Sequence, residues 1–144
     1  MAESKALKVL VVDDSADISR LLDHILTQAG YQVTVADNGE AGWATFQRLR
    51  PAICLLDVNM PGIDGLELCR RIKQTSSTPV ILLTVRAEIE AVQQGRRAGA
   101  DAYLSKPFEI GRLMATVEHV LRGSQLSRLA RGKEEESARE GVNR

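Results

Sequence analysis

Five short apolar runs, each followed by a stretch with helical spacing of apolar residues, are the feature that most constrains the fold. The runs lie at 8–12, 31–36, 52–57, 80–84 and 102–104. Short apolar or alternating runs between turn residues predict strands, and strands that alternate with helices form a parallel sheet with right-handed crossovers. We therefore predict an α/β fold, a doubly wound sheet of five parallel strands with helices on both faces.

Turn and capping residues mark the ends of the predicted helices. Asp14 or Ser15 can cap the first helix, and Asp64 or Gly65 begins the third. The first helix is predicted to end at Ala29-Gly30, the second to lie between the 37–39 turn and Pro51, and the third to end at the 76–79 break. The fourth is predicted at 87–98, and the last carries a buried stripe from Ile110 to Leu121. The fourth has few apolar anchors, so we expect it to be held least firmly.

Several single residues are interpreted as packing residues. Trp43 is assigned to the core, Cys54 and Cys69 to the reduced interior, and Gly42 is expected to weaken its helix by up to about 1 kcal/mol relative to alanine. The apolar stripe of the first helix is predicted to contain Ile18, Leu21, Leu22, Ile25 and Leu26.

The length and charge of the chain limit its function. A chain of 144 residues suits one domain, predicted at 1–123, with 124–144 as a charged tail or the start of a linker. Leu126 and Leu129 could extend the last helix, whereas the charged residues 133–144 are expected to be a solvated or disordered tail. Nineteen basic and nineteen acidic residues cancel, which argues against direct nucleic acid binding. The absence of a long apolar run and of a signal peptide predicts a cytoplasmic protein without a membrane span.

Polar side chains follow four of the predicted strands. Asp13 and Asp14 follow the first strand, Asp57 ends the third, Thr84 ends the fourth and Lys106 follows the fifth. Because parallel strands end at a common edge, where ligands bind in open α/β sheets, these side chains are expected to converge. Helix capping alone would explain one acid of the 13–14 pair well and the second poorly.

Three carboxylates at one edge need a cation, since each raises the pKa of the others. Mg²⁺ prefers oxygen ligands and commonly links carboxylates to a phosphate. Asp57 could then act as an oxygen nucleophile that forms an aspartyl phosphate. In that site Lys106 would offset phosphoryl charge and Thr84 would donate a hydrogen bond to a phosphoryl oxygen.

The motifs of the chain resemble the receiver domain of two-component response regulators, such as chemotaxis receivers. The resemblance covers residues 5–122 and implies the flavodoxin-like strand order 2-1-3-4-5. The motifs that carry it are Asp13-Asp14, Asp57-Val58-Asn59-Met60-Pro61-Gly62, Leu83-Thr84, Gly99-Ala100-Asp101-Ala102-Tyr103-Leu104 and Lys106-Pro107-Phe108.

The resemblance also implies a role for each residue of the site. Asp57 would accept the phosphoryl group from the phosphohistidine of a sensor histidine kinase or phosphotransfer protein. Mg²⁺ would be bound by Asp57, by Asp14 directly, by Asp13 mainly through water and by the backbone carbonyl of Asn59.

The resemblance further implies how the phosphorylated state is read by an output domain or protein partner. Thr84 and Tyr103 would form a switch pair, and the surface that changes would be the fourth helix, fifth strand and fifth helix. The peptide bond between Lys106 and Pro107 is expected to be cis. Val85 departs from the family pattern because it is bulkier than the usual residue there, and it is expected to narrow access to the phosphoryl group.

Three other functions are compatible with parts of this pattern. An aspartyl-phosphate hydrolase would use the same nucleophile but usually has an acid two residues later, where this chain has Asn59. A phosphorylation-independent interaction module could use the same fold without the chemistry. A dinucleotide-binding domain is disfavoured, because the turn after the first strand has acids and lacks the expected glycines.

Overall fold

The computed structural model describes residues 6–85 and 89–142, with side chains described at 6–85 and 93–126. Strands and helices alternate along the whole of this chain. Their bounds are β1 Lys8–Val12, α1 Ala16–Gln28, β2 Gln32–Ala36, α2 Gly39–Leu49, β3 Ile53–Asp57, α3 Gly65–Thr75, β4 Val80–Val85, α4 Ile89–Ala98, β5 Ala102–Lys106 and α5 Ile110–Val142.

The five strands form one parallel sheet in the order β2-β1-β3-β4-β5. This confirms the predicted fold class and the strand order that the resemblance implied. In the register of the sheet, Val12 on β1 lies beside Leu56 on β3, and Asp57 lies beside Leu83 on β4. The first residues after these pairs, Asp13 and Thr84, therefore flank Asp57 at the carboxyl edge.

The core has one layer on each face of the sheet. Alternate strand residues point to opposite faces, so Val11 and Leu55 pack with α1 and α5, whereas Leu10 and Leu56 pack with α2, α3 and α4. The predicted stripe of α1 is partly wrong, because Leu21 is 43% exposed. It lies at the margin of the stripe, where a helical residue can face solvent.

Side chains of polar residues cap the first three helices. Ser15 accepts a hydrogen bond from the Ile18 amide at 3.4 Å, and Asn38 and Asp64 cap α2 and α3 in the same way. Asp14 is therefore not the cap of α1. Neither acid of the 13–14 pair is used for that purpose, so both are available for other interactions.

Gly42 is a point of close packing between α2 and the sheet. A Cβ atom there would lie 2.9 Å from a methyl group of Val12 and 3.1 Å from one of Leu68. Trp43 is half-buried and stacks on Phe46, with ring centroids 5.9 Å apart. Glycine at this position has a packing role despite its low helix propensity, because a side chain would push α2 away from β1.

Both cysteines are reduced and buried, as predicted. Burial raises the pKa of the Cys69 thiol to about 11 and that of the Cys54 thiol further. Since the thiolate is the reactive form, both side chains serve as packing residues.

The last helix is longer than predicted. It continues to Val142, so the possible extension through Leu126 and Leu129 is present, and disorder is the wrong expectation for residues 133–142. The segment 124–142 has no proline, and it contains four glutamates, three arginines, two leucines and two alanines, which have good helix propensity. The division of the chain at residue 123 stays a prediction.

Two further predictions concern the ends of elements. β5 reaches Lys106, two residues beyond its predicted end, and the predicted start of the fourth helix at Ala87 lies outside the described residues. Within residues 6–85 and 89–142, no helix has the length and apolar character needed to cross a bilayer.

Candidate functional site

Three carboxylates meet at the carboxyl edge of the sheet, between the ends of β1 and β3. One oxygen each from Asp13, Asp14 and Asp57 lies within 4.8 Å of the other two. Asp13 and Asp57 are buried, whereas Asp14 is exposed. The predicted convergence of these acids is therefore present in the fold.

Backbone and hydroxyl contacts fix the orientation of Asp13. Its amide donates to the carbonyl of Ala36 at 3.1 Å, and its own carbonyl accepts from the Ser19 hydroxyl at 3.1 Å. One carboxylate oxygen accepts from the Ser15 amide at 2.9 Å. These contacts turn the Asp13 side chain inward and leave Asp14, the next residue, to face solvent.

The Lys106 ammonium lies between the two buried acids. Its Nζ atom is 2.8 Å from Oδ2 of Asp13 and 3.3 Å from Oδ1 of Asp57. The peptide bond to Pro107 is cis, as the resemblance implied. The end of β5 thus delivers a positive charge to the carboxylate cluster.

The Lys106 ammonium alone does not balance the negative charges of the carboxylates in this cluster. Burial, followed by the charge of Asp13, raises the pKa of the Asp57 carboxyl to about 6, and the ammonium of Lys106 offsets only part of this shift. Burial would lower the pKa of Lys106, but its hydrogen bond to Asp13 and both acids raise it overall. Lys106 therefore remains protonated, and two buried carboxylates share one ammonium.

The donor set fits a hard divalent cation. Carboxylate oxygens from three residues lie close enough to face one ion, and one of them, on Asp14, is open to water. Mg²⁺ prefers oxygen ligands and keeps several waters, so it suits a site with one exposed side. It would also supply the positive charge that the cluster lacks.

The loop after Asp57 and the end of β4 complete the rim. The Asn59 amide donates to Oδ1 of Asp57 at 3.3 Å. Thr84 is buried at the end of β4, and its hydroxyl donates to the Val85 carbonyl at 3.4 Å. Val85 is 41% exposed and pairs in register with Lys106 at the same edge of the sheet, and its effect on access to the site stays a prediction.

Tyr103 lies away from the carboxylate cluster, on the face of the sheet that packs against α4. It pairs in register with Leu82, two residues before Thr84, so Thr84 and Tyr103 share one face. A Cβ atom on Gly95 would lie 2.8 Å from the Tyr103 ring, so the glycine makes room for that ring. Burial raises the pKa of the Tyr103 hydroxyl.

Two features of this site are not predictable from the pattern of the sequence. Ser19 was not assigned a role, although a serine among the apolar residues of α1 is an unusual choice for a buried position, and its hydroxyl holds the Asp13 carbonyl. The shorter of the two Lys106 contacts is to Asp13. Strand order alone does not determine which acid a long, flexible side chain approaches.

Comparisons with known proteins indicate one protein family. A family model described as response regulator receiver domain matches residues 9–118. Over 114 residues the chain is 44% identical to the transcriptional regulatory protein CseB of Streptomyces coelicolor, a match that covers 79% of this chain and 49% of CseB. It is 39% identical over 122 residues to the transcriptional regulatory protein ResD of Bacillus subtilis, covering 85% of this chain and 51% of ResD.

Solved structures lead to the same group of proteins. The chemotaxis protein CheY4 of Vibrio cholerae superimposes with a TM-score of 0.76 at 36% identity, which covers 80% of this chain and 98% of CheY4. The chain spans about half the length of the curated relatives it matches. It spans nearly the whole of the chemotaxis protein.

Proposed function

The chain belongs to the response regulator receiver domain family of two-component signalling, and we propose that it is a signalling switch operated by phosphorylation of Asp57. The donor is the phosphohistidine of a sensor histidine kinase or phosphotransfer protein. The family consists of signalling proteins, so the chemistry serves to set a conformational state and not to turn over a substrate.

Asp57 is the proposed nucleophile. A carboxylate oxygen of Asp57 attacks the phosphorus, a P–O bond forms, and the P–N bond to the donor histidine breaks with its electron pair returning to the imidazole. The position of Asp57 at the end of the central strand, between Asp13 and the end of β4, supports this role. The carboxylate form, required for attack, is populated at neutral pH because its pKa is about 6.

Asp13, Asp14, Asp57 and the backbone carbonyl of Asn59 are proposed to hold Mg²⁺. The bound ion supplies positive charge that the three acids share with the incoming phosphoryl oxygens. The cluster of three carboxylates within 4.8 Å and the raised pKa of Asp57 support this assignment. Asp13 is expected to act through water, because its own oxygens already accept from Ser15 and Lys106.

Lys106 and Thr84 are proposed to bind the phosphoryl oxygens once the group is transferred. The Lys106 ammonium is 3.3 Å from Asp57, so it can pair with an oxygen attached to that carboxylate after a small movement. Thr84 would donate its hydroxyl from the neighbouring strand. Both contacts exist only in the phosphorylated state, so they favour the conformation in which they form.

The proposed output is a shift in the surface formed by α4, β5 and α5. In this structure the Tyr103 ring already lies against Gly95 with its hydroxyl buried. Movement of Thr84 toward the phosphoryl group would vacate space on the face that it shares with Tyr103 and so favour this inward position of the ring. Gly95 supports this reading because it leaves room for the ring beside α4. A partner protein or an output domain would recognise the altered surface; the segment matched by this chain makes up about half of each of these two relatives.

The setting of the switch is also part of the proposal. We expect it to work in the cytoplasm and to bind no nucleic acid directly through this segment. The nineteen basic and nineteen acidic residues of the chain support the second expectation.

The observation that carries this proposal is the meeting of Asp13, Asp14, Asp57 and Lys106 at one edge of the sheet. Incubation with Mg²⁺ and a small phosphodonor should give a hydroxylamine-labile adduct on the protein. The adduct should be absent in Asp57→Asn and present in Asp37→Asn, which alters an exposed aspartate after β2. A wild-type protein that forms no adduct with either a small donor or a phosphorylated kinase would overturn the proposal.

A further inference from the structure

The loop between β3 and α3, residues 58–64, is attached to a helix that has no place in the proposed chemistry. The Ile63 amide donates to Oε1 of Glu40 at 3.1 Å, and Glu40 lies in the first turn of α2. The two residues are 23 positions apart in the chain. The contact therefore links α2 to the segment that follows Asp57.

Gly62 allows this contact to form. Its φ angle is +75°, a conformation that favours glycine, and a Cβ atom there would lie 2.5 Å from Oε1 of Glu40. Gly39, the first residue of α2, is packed against the backbone carbonyl of Ile63 so closely that a side chain would not fit. The loop and the start of α2 are thus in close contact through two glycines.

The usual role of an acid in the first turn of a helix does not account for this arrangement. Such an acid stabilises the helix dipole without needing a specific partner, and Asn38 already caps α2 by accepting from the Ala41 amide at 2.7 Å. Glu40 instead directs its carboxylate to a backbone amide of another segment. The contact therefore holds the 58–64 loop in place as well as joining it to α2.

The near end of the loop is fixed to the site. The Val58 amide donates to the Leu83 carbonyl at 3.0 Å, the Gly65 amide donates to the Val58 carbonyl at 3.1 Å, and the Asn59 amide donates to Asp57. The intervening turn at 60–63 lies between these bonds and the Glu40 contact. The backbone of Asn59 is therefore constrained from both sides.

We propose that Glu40 is a positioning residue for the Mg²⁺ site, which it influences by holding the 58–64 loop and so the backbone carbonyl of Asn59. This inference rests on the proposed function. Loss of the contact would let the loop sample more conformations, and the carbonyl would be in place for only a fraction of the time. Apparent Mg²⁺ affinity falls by that fraction.

Three variants separate this role from general effects on stability. Glu40→Ala removes the acceptor, and Glu40→Gln keeps an acceptor of the same length without the charge. Glu67→Ala is the matched control, because Glu67 is also a first-turn acid, on α3, and its carboxylate pairs with Arg70 and Arg71 on its own helix. Thermal unfolding of each variant checks that the fold is retained.

Two measurements test the proposal. Amide hydrogen exchange in metal-free protein should be faster at Ile63 in Glu40→Ala and near wild type in the other two variants. Calorimetric titration with Mg²⁺ should give a Kd weaker by about three- to ten-fold in Glu40→Ala, the range expected for one hydrogen bond. Glu40→Gln should recover most of the affinity, and Glu67→Ala should bind like the wild type.

The outcomes distinguish this inference from the proposed function. Faster exchange at Ile63 with unchanged Mg²⁺ affinity would overturn the positioning role, as would an equal loss of affinity in Glu67→Ala. If the unaltered protein binds no Mg²⁺, the metal site of the proposed function fails and this inference fails with it. If the unaltered protein binds Mg²⁺ and Glu40→Ala binds equally well, only the role of Glu40 is overturned.

Discussion

Asp57 should weaken the fold of the metal-free protein, because it is an ionised acid in a buried cluster. Burial and the charge of Asp13 raise the pKa of its carboxyl from 3.8 to about 6. That difference corresponds to at most about 3 kcal/mol of lost stability once the group is ionised. Since water screens the open side of the cluster, we expect Asp57→Asn to stabilise the metal-free protein by about 1–2 kcal/mol.

The direction of the pH dependence follows from the raised pKa. The folded protein holds the Asp57 proton more tightly than the unfolded chain, so the favourable contribution is present below 3.8 and is lost as the pH rises through about 6. The wild type and Asp57→Asn should therefore differ little in free energy of unfolding near pH 3.8 and most above about pH 6. Lys106 keeps Asp13 as a partner 2.8 Å away, so the substitution leaves no buried ammonium unpaired.

Urea unfolding in the presence of a chelator measures this difference at about pH 7.5 and about pH 4. Asp23→Asn serves as the control, because Asp23 is exposed on α1 and accepts a hydrogen bond from the Thr27 hydroxyl one turn along the same helix. Saturating Mg²⁺ should stabilise the wild type more than Asp57→Asn. If Asp57→Asn is no more stable than the wild type at the higher pH, the electrostatic reasoning about the site is refuted.

Three further substitutions test other parts of the account. Val85→Ala should shorten the lifetime of the phosphorylated protein, because Val85 is expected to narrow the access of water to the phosphoryl group. A radiolabelled adduct that decays at the same rate or more slowly in the variant would contradict this. Gly95→Ala should turn Tyr103 outward and lower the free energy of unfolding by about 1–3 kcal/mol, since a methyl group would lie 2.8 Å from the ring. Unaltered NMR resonances of the Tyr103 ring would contradict this. Gly42→Ala should lower the free energy of unfolding by about 1–2 kcal/mol, because its Cβ would lie 2.9 Å from Val12 and this clash outweighs the better helix propensity of alanine. A variant that is more stable in denaturant titrations would show that α2 can shift.

The sequence was sufficient to predict the sheet and the convergence of its polar residues. The strand at Ile53–Asp57 is apolar until its last residue, and all five of its residues are buried. Once the strands are parallel, their carboxyl ends share one edge, so Asp13, Asp57 and Lys106 must approach one another. The spacing of apolar residues predicts the alternating strands and helices, whereas the order of the strands in the sheet was implied by the family resemblance.

The features that sequence reasoning missed depend on distances between segments that are remote in the chain. Gly42 was interpreted as a weak point of α2, whereas it allows the helix to approach Val12. Glu40 has the pattern of an ordinary first-turn acid, and only the fold brings it to the Ile63 amide. Periodicity reports which face of an element is buried, but it contains no information on which side chains cross from one loop to another.

The extent of α5 was missed for a different reason. Beyond Leu121 only Leu126 and Leu129 indicate that the helix extends, but a helix can continue without apolar anchors where local propensity is good. The helix therefore runs to Val142 although the segment is charged. Burial patterns predict where a core ends more reliably than where a helix ends.

The central claim is that Asp57, and no neighbouring group, carries the phosphoryl group. The most direct test treats the phosphorylated protein with borohydride, which reduces an aspartyl phosphate to homoserine, and locates the altered residue by peptide mass spectrometry. The account predicts modification at position 57 alone. Modification at Asp13 or Asp14, or label that stays on a histidine such as His24, would contradict it.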